Sequence, residues 1–131
     1  MEVLKENSAY LSNFEVLEIL KQVRGNKTQK SRNQLATITY QTVRYLEDTP
    51  CKIQNSEKIR GFLKAVESFN LTKCEKLTLI NLCPKTAIEI QLIIEESEDR
   101  LSEEQVESLL QVISTHLGEP EEPEEEPGEA E

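Results

Sequence analysis

A chain of 131 residues carrying 15 basic and 25 acidic side chains has a formal net charge of -10, which excludes a strongly basic nucleic-acid surface as the main business of the molecule. Most of that acidity is local: residues 119–131 hold eight Glu, three Pro, one Gly and one Ala, a composition that cannot bury enough apolar surface to fold. Residues 1–118 are nearly neutral at -2 and long enough for one independent core, so a single domain with a disordered acidic tail is expected. Within it, residues 1–70 have a balance of +3 and residues 71–118 one of -5.

The three cysteines, Cys51, Cys74 and Cys83, are odd in number and include no C-x-x-C pair, which argues against a disulfide framework and against a zinc site. No long apolar run opens the chain or interrupts it, so neither a signal peptide nor membrane insertion is expected, and the expected home is the nucleus or the cytoplasm.

Helix starts are marked by Ser or Thr followed three residues later by Glu or Gln, the capping box. The pattern occurs at Ser12/Glu15, Thr72/Glu75, Thr86/Glu89 and Ser102/Gln105. Residues 1–11 precede the first box. Val3, Leu4, Tyr10 and Leu11 lie there outside any helical pattern, either as an extended arm that a partner could accept by edge addition to a sheet or as a frayed N-terminus.

The first helix is expected over about 13–24, with Phe14, Leu17, Leu20 and Val23 on its apolar face and Gly25 as its stop. A polar loop follows. The second helix is expected over about 35–47, lined by Leu35, Ile38, Thr42, Tyr45 and Leu46, and Thr49-Pro50 closes it.

Ser56 is the expected N-cap of the third helix, which carries Ile59, Phe62, Leu63 and Val66 at core-facing spacing. The fourth, after Thr72, buries Leu77 and Ile80, with Cys74 as a further candidate, and must finish near Leu82, because Pro84 lies just beyond. Residues 88–94 alternate as a strand would, yet the capping box at Thr86 and the want of a pairing strand favour a helix, one packed on two faces. The last helix follows Ser102, carries Val106, Leu109, Leu110, Ile113 and Leu117, and ends at Gly118. The architecture expected is an all-α helical bundle.

Catalytic chemistry is poorly provided for. One histidine, His116, falls in the last turn of the last helix, where an imidazole suits the dipole, and no basic cluster stands near a cysteine to activate it. The acids Glu95, Glu96, Glu98, Asp99, Glu103 and Glu104 read as a solvated turn, since their spacing lacks the alternation and central Gly of a calcium loop. Lys27, Lys30 and Arg32 could touch phosphate, but no interleaved aromatic offers a base a surface to stack on, so a solvated loop is favoured. No enzyme activity, cofactor or metal is expected.

Several strings in order resemble one known family. They are Leu11-Ser12-Asn13-Phe14-Glu15-Val16, Thr37-Ile38-Thr39-Tyr40 with Tyr45-Leu46 and Thr49-Pro50-Cys51, Leu71-Thr72-Lys73 with Glu75-Lys76-Leu77, and Asn81-Leu82-Cys83-Pro84 leading into residues 86–92, with Glu95-Glu96, Arg100-Leu101 and Glu103-Glu104-Gln105 beyond. The chain is thereby similar to the helical stalk subunits of eukaryotic and archaeal RNA polymerases, related to the fourth subunit of RNA polymerase II, and most of all to the RNA polymerase III branch.

The resemblance implies a C-terminal part, residues 71–118, similar to the helicase-and-RNase-D C-terminal (HRDC) domain, after N-terminal helices over 12–70. It implies a non-catalytic nuclear subunit that pairs with an OB-fold stalk subunit on the polymerase core, helps recruit initiation factors and contacts RNA weakly. Leu11, Phe14, Val16, Leu17, Asn81 and Pro84 are the positions it assigns to the partner interface. Two other readings stay open: a signalling accessory of a calcitonin-gene-related-peptide receptor, and a free-standing HRDC-like nucleic-acid-binding domain using Lys27, Lys30 and Arg32.

Overall fold

The computed structural model describes residues 2, 4–5, 9–25 and 33–119. Lys27, Lys30 and Arg32, most of the acidic tail and part of the N-terminal arm lie outside the described residues. Among the described residues there are seven α-helices and no strand: α1 (Asn13–Gly25), α2 (Asn33–Glu47), a 3-10 helix η1 (Pro50–Ile53), α3 (Ser56–Ala65), α4 (Lys73–Leu82), α5 (Ala87–Ile93), α6 (Ser97–Arg100) and α7 (Glu103–Leu117). No helix of the described residues is long and apolar enough to cross a membrane.

All four capping boxes form. In each, the hydroxyl accepts from the backbone N–H three residues on, and the Glu or Gln carbonyl or carboxylate accepts from the N-cap N–H, at Ser12/Glu15, Thr72/Glu75, Thr86/Glu89 and Ser102/Gln105. Two backbone donors that a helix start leaves orphaned are met each time. α3 is capped differently from expectation: Asn55, in extended geometry, accepts from the Lys58 N–H at 2.8 Å, and Ser56 is already helical. Asn is as good an N-cap as Ser, and the residue whose φ and ψ stay outside the helix takes the role.

The helices close over two apolar clusters. The larger joins Ile59, Phe62 and Val66 of the α3 region to Leu79, Ile80, Ile90, Ile94, Leu101, Leu109, Ile113 and Leu117. The smaller joins Leu17 of α1, Val43 and Leu46 of α2, and Cys51 of η1. Phe14 packs against both. α3 lies along α7 with Gly61 at the near approach, where a Cβ would come within 3.0 Å of His116 Nδ1. That glycine, weak in a helix on propensity alone, lets the two helices meet.

Four expected faces are corrected. α2 buries Thr39, Val43 and Leu46, a 0, 4, 7 stripe, and leaves Ile38 and Tyr45 exposed, because η1 and α1 cover the other side. α4 buries Leu79 and Ile80, with Leu77 half-buried and Cys74 exposed. α5 packs on one face and not two: Ile90 and Ile94 are in the core while Ile88 and Leu92 face solvent. In α3 Leu63 is likewise at the surface.

The acidic stretch after α5 is more structured than a solvated turn. Glu96 takes a left-handed conformation (φ 52°) and α6 follows, ending in Arg100. Arg100 Nη1 and Nη2 donate to Glu75 Oε1 and Oε2 at 2.6 and 2.7 Å, and to the carbonyls of Glu95 and Asn70. The fork spans both carboxylate oxygens, the geometry in which arginine binds most specifically, and it ties the start of α4 to the α5–α7 connection.

Arg100 holds the Glu75 carboxyl below the ordinary glutamate range, against the opposing effect of its burial. A carboxylate with a depressed folded pKa stabilises the fold fully above its unfolded value and stops doing so as pH falls through the folded one. Glu75→Gln is therefore expected to be less stable than the parent at neutral pH, and the difference should shrink as pH drops below about 4. Thermal melts across pH 2.5–7 on the order of half-unit steps check this; a gap that persists unchanged in acid would remove the ion pair as its cause.

Candidate partner interface

The N-terminal arm and the end of α4 meet at one place. Ser12 is buried as the N-cap of α1, and the next N–H, that of Asn13, donates to Asn81 Oδ1 at 2.8 Å. An orphan donor of the first helical turn is thus satisfied by a side chain 68 residues away. Asn81 belongs to the last turn of α4, and Cys83 C-caps that helix in left-handed geometry (φ 45°), which turns the chain sharply into Pro84.

Gln54 supports the turn from beneath. It is 5% exposed, and its Nε2 donates to the Ile80 carbonyl at 2.8 Å and to Cys83 Sγ at 3.3 Å, bracing η1 against the end of α4. Gln54 Oε1 has no hydrogen-bond partner among the described residues. Burial pushes the Cys83 thiol above its ordinary range, so it sits as a packed thiol and not as a reactive thiolate. Sequence reasoning missed Gln54, since a lone glutamine in a short polar connection carries no local signal.

The six positions assigned to a partner fall into two groups. Leu11 is 37% exposed beside Tyr10 at 77%, Phe14 and Val16 are half-buried, and Asn81 is half-buried, so these are gathered around the α1 start and the α4 end. Leu17 is 2% exposed and Pro84 is buried. Those two are covered by their own chain, because Leu17 fills the smaller core and Pro84 floors the turn, and they can only shape the surface from below.

An open groove of about 890 Å³ adjoins the turn, lined by the apolar Pro50, Ile53, Leu82, Pro84, Leu110 and Leu117 and by the charged Glu47, Asp48, Lys52, Lys85 and Glu89. Its walls hold charged and apolar groups without any pairing of nucleophile and base. Among the described residues no group of His, Cys, Asp and Glu is arranged to hold a metal ion. What the arrangement offers is exposed apolar surface, to which Tyr10 and Leu4 add among the described residues of the N-terminal arm. Such residues gain most from a partner's surface.

Comparison with known proteins agrees with the extent of this unit. The family model described as "RNA polymerase Rpb4" matches residues 10–117, from Tyr10 at the arm to the end of α7. A Dictyostelium discoideum protein named DNA-directed RNA polymerase III subunit rpc9 is 32% identical over 123 residues, covering 89% of this chain and 90% of that protein. A Schizosaccharomyces pombe protein of the same name is 29% identical, covering 88% and 98%. The RPC9 subunit of Saccharomyces cerevisiae RNA polymerase III is 25% identical, covering 87% and 98%. The chain belongs to the RNA polymerase Rpb4 family.

Proposed function

We propose that this protein is the non-catalytic, Rpb4-type subunit of RNA polymerase III, half of a stalk heterodimer that supports transcription initiation in the nucleus. The observation that carries the reading is the family match over residues 10–117 together with relatives that are named as RNA polymerase III subunits along nearly their whole lengths. In this reading residues 1–118 act as one domain, whose helices from 71 onward are HRDC-like. The partner is an elongated subunit with an OB-fold domain, and the polymerase core and initiation factors lie beyond it.

The arm through Leu11 and the Asn81 turn supply the pairing surface. Tyr10 and Leu11 give apolar anchors, Phe14 and Val16 extend them along α1, and the Asn13–Asn81 hydrogen bond fixes the angle at which the arm leaves the body. Lys27, Lys30 and Arg32 are the candidates for weak RNA contact through phosphate, which would appear as a salt-dependent slope in binding.

Co-expression with the OB-fold stalk subunit tests the pairing. A stable one-to-one complex is expected on gel filtration, and Tyr10→Asp/Leu11→Asp should weaken it by about 100-fold or more, the loss of two apolar anchors from a desolvated centre. The reading fails if no complex forms with the intact chain. The surface fails, and the pairing survives, if the double variant binds as tightly as the parent.

A further inference from the structure

α5 presents apolar surface that the fold does not use. Ile88 is 69% exposed and Leu92 82%, while Ile90 and Ile94 are 0% and 1% exposed on the opposite side. Four residues apart on a helix, Ile88 and Leu92 share one face with their Cβ atoms about 5–6 Å apart. A single exposed leucine is ordinary. An apolar pair on one helix face is less so, and this one lies just ahead of the most acidic stretch of the folded chain, residues 95–107.

Residues 85–100 hold two bases, Lys85 and Arg100, against Glu89, Glu95, Glu96, Glu98 and Asp99, and the Arg100 fork is taken up by Glu75. The Glu89 carboxylate is occupied by the N–H groups of Lys85 and Thr86. The other four acids are exposed and follow the C-terminal end of α5, where the helix carbonyls add negative potential. Glu96, Glu98 and Asp99, in the turn and in α6, line a shallow hollow with Gln91 of α5, so the acidic cluster lies beside the helix that carries the apolar pair.

We propose that the outer face of α5 docks a basic amphipathic helix of a protein partner, its apolar side on Ile88 and Leu92 and its Lys or Arg side chains over Glu95 to Asp99. The helix-on-surface mode supplies the anchors at one-turn spacing, and the opposed charges set orientation and speed encounter. A nucleic acid or an anionic membrane is disfavoured, since its phosphates would face those carboxylates. A second copy is disfavoured too, because a two-fold contact through this face would bring like clusters together.

The full chain is titrated, by fluorescence anisotropy, against a labelled Leu/Lys amphipathic peptide of about 18 residues, five turns of helix. Binding is expected to weaken by about 30-fold in Ile88→Glu/Leu92→Glu and by about 5-fold in Glu95→Gln/Glu96→Gln, with a flatter salt dependence in the latter. Ile38→Ser/Tyr45→Ser, which alters the exposed face of α2, should leave it unchanged. Helical circular dichroism checks folding, and Ile88→Ser/Leu92→Ser replaces the glutamate pair if that pair unfolds.

The proposal is overturned by absent binding, by equal binding of a Leu/Glu peptide, by insensitivity to the α5 variants, or by a dimer of the chain that these variants dissolve. It is also overturned if the α5 variants lose the one-to-one complex with the OB-fold subunit, since the face would then belong to that subunit. Failure of the intact chain to form that complex bears on the function proposed above and leaves the peptide result to stand alone.

Discussion

Phe62→Ala is expected to lower the unfolding free energy by about 3–5 kcal/mol, a large part of the roughly 5–15 kcal/mol that holds a domain of this size together. Phe62 is fully buried in the apolar cluster that joins α3 to α7, and a space left among aliphatic side chains stays dry. Urea denaturation followed by far-ultraviolet circular dichroism measures it. A midpoint that moves little would mean that α3 settles onto α7 and closes the space. Leu17→Ala, at 2% exposure in the smaller core, should cost about 2–5 kcal/mol but act locally. Hydrogen exchange is expected to quicken in α1, α2 and η1 while α7 stays protected. Equal quickening in α7 would show the two clusters to be one cooperative unit.

What the sequence made legible was local. The capping boxes are written within four residues, and each formed; so did the helical stripe of the last helix, which puts Leu109, Ile113 and Leu117 in the core. The all-helical architecture followed from these signals without knowledge of packing. Where two apolar stripes compete on one helix, pattern alone does not choose. α2 is expected to bury Leu35, Ile38, Thr42, Tyr45 and Leu46; Leu46 is buried, but with Thr39 and Val43 in place of Ile38 and Tyr45, because α1 and η1 arrive on that side. Leu92 and Ile88 misled in the same way, since hydrophobicity was read as burial.

Groups whose meaning depends on distant partners were the least legible. Glu75 was readable as a capping residue, but Arg100 reads locally as one base in a run of acids, and nothing in either neighbourhood announces a pair 25 residues apart. Gln54 and the 3-10 helix before it are similarly silent. The partner positions came from resemblance to a family and not from periodicity. Of those, the structure gathers Leu11, Phe14, Val16 and Asn81 around the junction and leaves Leu17 and Pro84 beneath it.

That junction carries the second large effect. Phe14→Ala is expected to cost about 3 kcal/mol, because the ring touches both clusters and its loss leaves each with an unfilled edge. Asn81→Ala should cost less, about 1–2 kcal/mol, by stranding the Asn13 N–H. Adjacent residues bridging the same pair of elements should not act independently, so the double variant is expected to lose at least about 0.5 kcal/mol less than the sum of the single losses. Additive losses in the isolated chain would mean that ring and hydrogen bond hold different things. The same variants separate a structural joint from a contact surface: a joint lowers the chain's own stability and slows complex formation with the OB-fold subunit in proportion, whereas a contact surface weakens the complex beyond that. Asn81, with its side chain already spent on Asn13, is expected to behave as the joint, and Phe14, half-buried between two cores beside the exposed Leu11, as both.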